Sequence, residues 1–205
     1  MSVYLTTYEG LCGRLAAHRL DLLAERSGAA RLANDRLRLR CAGRDYVVLH
    51  PDGTVLQEDG SPADVHVAIL LLLYLLEATG QPAADQWISF EQLPGGPGYL
   101  ASFRGRVVAP IMRVFGPQPE RLLAAARALD GEPMALGDVA VRIPALPRVP
   151  IAYILWRGDD ELPPSASVVF DASVVGYLDA EVLTALAELT SRRLVAAAEQ
   201  VTGEG

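Results

Sequence analysis

The chain has 205 residues, 51% of them hydrophobic and 21% charged, which excludes intrinsic disorder and allows a sizeable core. Eighteen basic and 25 acidic residues leave a net charge of −7, so a polyanion such as nucleic acid is not an expected partner. Lysine is absent altogether, which rules out Schiff-base chemistry.

Taken from the N-terminus, Val3 to about Glu25 reads as a first helix, with Leu11, Leu15, Leu22 and Leu23 at helical spacing and Gly28 as a stop. Leu37 and Leu39 alternate with Arg36, Arg38 and Arg40, the pattern of a half-buried strand with arginines on one face. Tyr46–Leu49 and Thr54–Gln57 are two further strands, joined by the turn residues Pro51-Asp52-Gly53. Together these predict an antiparallel meander. Ser61-Pro62-Ala63-Asp64 then signals a helix start, with Ser61 as the cap. The helix from Pro62 to Thr79 is apolar nearly all round, which predicts burial on most sides.

Trp87–Phe90 reads as a short strand, and Leu93–Tyr99 as a loop rich in Gly and Pro. Tyr99–Phe115 is helical in pattern but must be weakened or bent by Gly105 and Pro110. Pro117–Leu129 is an Ala-rich amphipathic helix stopped by Gly131. Val139, Val141 and Ile143 alternate as a strand, and prolines keep Leu146–Pro150 extended. Ile151–Trp156 and Val168–Phe170 are strands, with Gly158-Asp159-Asp160 as a turn between them. Asp179 to about Val201 is the final helix, with Leu183, Leu186, Leu189, Leu194 and Val201 towards the core and a frayed tail at Thr202–Gly205.

The expected fold class is therefore α+β: antiparallel strands packed with about five helices around a buried central helix, in a single globular domain over residues 1–205. Cys12 and Cys41 stand 29 positions apart and form neither a CxxC pair nor a disulfide framework. No signal-peptide pattern opens the chain, and the longest apolar run, Val67–Leu76, is shorter than the roughly 20 residues of a membrane span. A cytoplasmic protein with no membrane partner is the expectation.

Several short motifs recur in one order: Trp87-Ile88-Ser89-Phe90-Glu91-Gln92-Leu93-Pro94-Gly95-Gly96, Phe103, Phe115-Gly116, Gly137-Asp138, Leu146-Pro147-Arg148-Val149-Pro150, Trp156-Arg157-Gly158-Asp159-Asp160-Glu161 and Phe170-Asp171. In these the chain, over roughly residues 10 to 195, resembles domain-of-unknown-function family 3786, an uncharacterised family of mainly anaerobic prokaryotes. The resemblance implies no activity and assigns no functional residue. Some members resemble carriers of an added cysteine-rich, iron–sulfur-type segment. This chain has no such segment, which argues against electron transfer through a cluster of its own. The family's setting makes corrinoid or other tetrapyrrole chemistry an associated expectation.

Candidate residues each carry a bland reading beside the functional one. His66, on the first turn of the central helix, is either a histidine bonded to backbone or an axial ligand at the mouth of an apolar pocket. His50, before the Pro51 turn, is an equal candidate, whereas His18 is expected to face solvent. Arg104, Arg106 and Arg113 could receive carboxylates such as porphyrin propionates, or simply form a solvated face balanced by Glu91 and Glu120. Tyr99 and Trp87 flank the Gly/Pro loop and could line a pocket or belong to the core. Gly95-Gly96-Pro97-Gly98 lacks the Lys and Ser/Thr of a phosphate loop and reads as a close-packing turn. Asp159, Asp160 and Glu161 read as a turn rather than a cation loop. No metal site built from protein ligands alone and no catalytic residue set is expected.

The leading expectation is a non-catalytic binding protein for a flat apolar cofactor of the tetrapyrrole class: haem, porphyrin or corrinoid. The alternatives are an enzyme using loop carboxylates such as Glu91, Asp138 and Asp171, and a protein-interaction module sharing the apolar side of the final helix.

Overall fold

In a computed structural model the described residues are 3–203, with side chains described through residue 200. The first helix is two: α1 (Val3–Ala16) and α2 (Leu20–Ser27). The break lies where His18 Nδ1–H donates to the Arg14 carbonyl (2.9 Å) and Arg19 turns to extended backbone, φ −73° and ψ 131°. Gly28 ends α2 in the left-handed region, the conformation glycine adopts without penalty.

The meander forms as expected, with an additional edge strand. β1 (Ala30–Leu32), β2 (Arg36–Cys41), β3 (Arg44–Leu49) and β4 (Val55–Gln57) make one antiparallel sheet in chain order. Leu37, Leu39, Tyr46 and Val48 are buried on its inner face, while Arg36 and Arg38 are exposed on the other.

The central helix, α3, is Val65–Glu77. Its cap is Asp64, whose Oδ1 accepts the His66 N–H (2.9 Å), and not Ser61. Pairing beyond β4 displaces the start: Gln57 N–H donates to the Ser61 carbonyl and Ala63 N–H to that of Val55, so residues 61–63 are held extended. Leu71, Leu72, Tyr74 and Leu75 of α3 are fully buried, with α1, α2 and α7 packed against the helix.

β5 (Trp87–Ser89) leads into a 3₁₀ turn at Phe90–Gln92 closed by a reciprocal Ser89/Gln92 capping box. α4 (Gly96–Phe103) begins inside the expected loop. Gly95 takes φ +78° as its cap, and any Cβ at Gly96 would overlap the Phe90 carbonyl, so the Gly-Gly pair is a close-packing device. The predicted bend is a π-helical turn, Arg104–Val108, before α5 (Ala109–Phe115). Pro110 has no N–H to continue the ladder, and the bond register slips there: Ala109 N–H reaches back to the Arg104 carbonyl. α6 is Arg121–Arg127, shorter than its pattern suggested.

β6 (Glu132–Met134), β7 (Val139–Leu146), β8 (Val149–Trp156) and β9 (Ser165–Asp171) form a second antiparallel meander, with β5 added beside β9. Leu146 pairs with Val149, so Pro147-Arg148 is a tight hairpin turn and not part of an extended connector. After a 3₁₀ turn at Ala172–Gly176 comes α7 (Ala180–Gly203), which packs on α4, α5, α6 and β7. Leu183, Leu186 and Leu194 are buried within the chain and Leu189 is half-buried, so the helix side proposed for sharing between subunits is largely occupied already. The Val201 side chain lies outside the described residues, as do residues 204–205 of the expected tail, whose start continues α7. Among the described residues no helix is long and apolar enough to cross a membrane.

Two polar clamps tie these layers. The Tyr74 hydroxyl donates to the Ser27 carbonyl (2.5 Å) and accepts the Arg148 N–H (3.1 Å), joining α3 to the end of α2 and to the β7–β8 turn. The Arg193 guanidinium of α7 donates to the carbonyls of Cys41 and Ala42 and to the Tyr46 hydroxyl. Removing one buried partner strands the others. Tyr74→Phe is expected to lower unfolding free energy by about 1–3 kcal/mol, and Leu71→Ala by about 2–5 kcal/mol, both read from urea unfolding monitored by circular dichroism.

Candidate functional site

The histidines and arginines singled out above do not converge. His66 is largely exposed: its Nδ1 lies 3.2 Å from Asp64 Oδ1 and its ring meets Tyr4 edge-on at 4.5 Å. It lines none of the clefts described below. His50 Nε2–H donates to the His18 carbonyl (2.9 Å), pinning the β3–β4 turn to the α1–α2 break. Arg104 pairs with Glu91 (2.9 Å), and Arg106 with Glu188 and the Ser102 hydroxyl, while Arg113 is exposed. The balancing partners are thus Glu91 and Glu188; Glu120 pairs with Arg157 instead. Tyr99 donates to Glu181 Oε2 (2.9 Å), and Trp87 sits half-buried on β5 opposite Asp171. Of these seven residues Arg104 alone borders one of the larger clefts, a space of about 460 Å³ between the π-helical turn and β9.

An apolar cleft lies elsewhere, at the end of α3 where packing is incomplete. It measures about 480 Å³ and runs between α3, the Ala172–Gly176 turn and the start of α7. Of its apolar lining, Leu93, Tyr177, Leu178 and Leu183 are buried and form the floor, while Leu73, Pro94, Val175 and Val182 are more exposed. Leu73 is only half-buried and Val175 is 52% exposed, so apolar surface faces the opening. The rim holds Glu77, Thr79 and Asp179. Glu77 is paired with Arg14 of α1 (2.7 Å), which is not one of the cleft's lining residues. Asp179 Oδ1 accepts the Val182 N–H (2.9 Å), capping α7. With Asp179 and Glu181 at the positive end of that helix, the helix dipole is already matched and a further anion gains little there. The chain offers neither imidazole nor thiol to this cleft.

The three loop carboxylates are separate as well. Glu91 is held low by its own backbone N–H and by the Arg104 guanidinium against mild burial. Asp138 Oδ2 accepts the Arg157 N–H (2.7 Å). Asp171 is buried, and its Oδ1 accepts the N–H groups of Ala84 and Ser173 (2.9 Å each). Burial alone would raise that carboxyl, but the bonds from Ser173, Ala84 and Asp85 outweigh it and the net shift is downward. Glu91 thus serves a surface ion pair, Asp138 ties the start of β7 to the end of β8, and Asp171 caps the turn after β9 while holding the Ala84 backbone. Cys41 is fully buried and its thiol is pushed up to about 12, so it is inert, and burial also raises the thiol of Cys12. Among the described residues no group of three or more His, Cys, Asp or Glu is placed to hold a metal ion.

The profile of a family described as Domain of unknown function (DUF3786) matches residues 20–193. The chain belongs to the DUF3786 family. No curated protein and no solved structure matches the chain. The DUF3786 match takes in both sheets and runs from α2 to within α7, so the cleft lies wholly inside the family region, whereas α1 lies outside it. Of the cleft residues only Leu93 and Pro94 fall in a motif quoted above, and that motif points to no site. The visible signals were Asp179 one residue before a helical pattern and Val174-Val175 beside Gly176, and neither says that Val175 stays exposed.

Asp171 gives this DUF3786 fold a testable acid dependence. A carboxyl whose pKa is lower in the folded than in the unfolded chain contributes stability above its unfolded value, and that stability is lost as pH falls through the folded value. Asp171→Ala is expected to cost about 1–2 kcal/mol near neutral pH. Thermal melts should show the gap between wild type and variant closing below about pH 4, the ordinary carboxyl range.

Proposed function

We propose that the protein is a non-catalytic binding protein that seats the apolar face of a flat ligand in the cleft between α3 and the start of α7. The observation that carries this reading is the make-up of that cleft: an apolar floor with a rim of acceptors, Glu77, Thr79 and Asp179. Its volume falls in the usual range of ligand sites, about 300–1,000 Å³. The tetrapyrrole expectation narrows accordingly. Porphyrin propionates would meet carboxylates at the rim and repel them. A corrinoid carries neutral primary amides around its ring, which donate to carboxylates, and it brings its own lower axial base. Its methyl-studded edge suits Leu73, Val175 and Val182. The corrinoid is therefore the favoured class.

Titration with cyanocobalamin, haem and coproporphyrin, followed by visible absorbance and equilibrium dialysis, tests the reading. Cyanocobalamin is expected to bind saturably and the two porphyrins weakly. Val175→Arg, at an exposed position that tolerates the larger side chain, should weaken cobalamin binding about tenfold or more. Absence of saturable binding by all three compounds would contradict the proposal, as would unchanged affinity in the variant.

A further inference from the structure

The outer face of the four-stranded sheet is a second surface with its own chemistry. Residues directly opposite across an antiparallel pair share a face. Arg36 stands opposite Leu32 on one side and Leu49 on the other, and Arg38 opposite Val47, which in turn faces Leu56. Alternate residues of a strand repeat at about 6.6–6.8 Å, so β2 presents a straight row of arginines between aliphatic side chains. On this face Leu32, Arg36 and Arg38 are exposed and Val47, Leu49 and Leu56 half-buried, whereas Leu37, Leu39, Tyr46 and Val48 on the inner face belong to the core.

The charges of the row are unequal. Arg40 is taken up by Asp130 (2.7 Å) and Asp45 (3.7 Å). Arg36 and Arg38 are exposed and, among the described residues, have no carboxylate partner. Below them Arg38 and Arg40 line a cleft of about 410 Å³ where the sheet meets Pro144 and Pro147 of the β7–β8 hairpin. Residues 30–57 hold five arginines against three aspartates, in a chain whose net charge is −7. The cationic surface is therefore local and set against an acidic background.

We propose that this face docks an acidic, extended segment of a partner protein. Side chains alternating along such a segment match the repeat of the arginine row, so carboxylates on one of its faces meet Arg36 and Arg38. Bidentate guanidinium–carboxylate bonds suit this arrangement, and the methylene stems of the acidic side chains lie against Val47, Leu49 and Leu56 beside the arginine row, while the intervening side chains of the segment point away. Single-stranded nucleic acid has a similar phosphate repeat but fits less well. None of the described residues of this face is aromatic, so bases have no stacking platform, and the overall charge opposes a long polyanion.

The test uses the full chain and three fluorescein-labelled probes read by anisotropy at low and high salt. One is a short peptide alternating glutamate and valine, one has the same composition with its glutamates in a block, and one is oligo(dT). The alternating peptide is expected to bind most tightly and to weaken with salt. The double variant Arg36→Glu/Arg38→Glu should reduce that binding about tenfold or more while keeping the wild-type circular dichroism spectrum. The milder Arg36→Gln/Arg38→Gln pair guards against a folding defect in the first and should also weaken binding. No saturable binding of the alternating peptide, equal binding of the blocked peptide, tighter binding of oligo(dT), or unchanged binding by a folded variant would each overturn the proposal. So would a dimer on size-exclusion chromatography that the double variant dissolves, since that would give the face to a second copy.

Discussion

The phenol oxygen of Tyr74 is the point on which the architecture turns. It sits in the middle of a helix that has almost no other polar atom to offer its surroundings, and it satisfies the end of α2 and the β7–β8 turn at once. A helix apolar on nearly every side can be stable in water only if it is covered on nearly every side. α3 is accordingly flanked by α1, α2 and α7, and the two sheets close the remaining core around the same cluster of buried side chains. A loosely packed helix of leucines would leave several near-equivalent rotations about its axis. The two bonds of Tyr74, made in a buried setting where an unpaired partner is costly, select one.

The cleft follows from the place where that covering stops. Near the end of α3, Leu73 and Leu76 are only half-buried and Glu77 reaches solvent. The Ala172–Gly176 turn and the start of α7 approach from the other side without closing over them. Gly176 is part of the reason the turn lies so close to the chain after α3, since a Cβ there would stand 2.7 Å from Thr79 Oγ1 and Gln81 Oε1. Core formation and the opening are thus two consequences of one packing arrangement. The open cleft and the arginine face then divide the surface chemically: hydrogen-bond acceptors around an apolar floor in one place, unpaired cations between aliphatic side chains in the other.

Much of this fold was legible in the sequence because its signals are local. The alternation in Arg36–Cys41 states both a strand and the side that faces water, and the apolar run Val67–Leu76 states burial. The misreadings lie where a tertiary contact overrides a local pattern. Nothing in the leucine spacing of residues 11–23 shows that His18 will bond the Arg14 carbonyl and end α1. Prolines at 147 and 150 suggested a stretched connector, yet Leu146 and Val149 pair and the turn is tight. Gly105 and Pro110 did announce an irregular helix, but its form as a π-helical turn depends on bond register and not on composition. For the candidate site the sequence was a poor guide. Histidines and arginines draw attention by type, whereas the cleft is built from ordinary Leu, Val and Pro residues brought together by topology. His66, His50 and Arg104 each meet a local partner and remain apart.

The central functional claim is that ligand binding is coupled to the end of α3 and the start of α7. Amide hydrogen exchange on the full chain, with and without saturating cyanocobalamin, reads that coupling directly. The account predicts slowed exchange confined to residues 172–183 and the last turn of α3, with the four-stranded sheet unchanged. Protection appearing around His66, His50 or the arginines of the π-helical turn and α5, or no change anywhere, would contradict it.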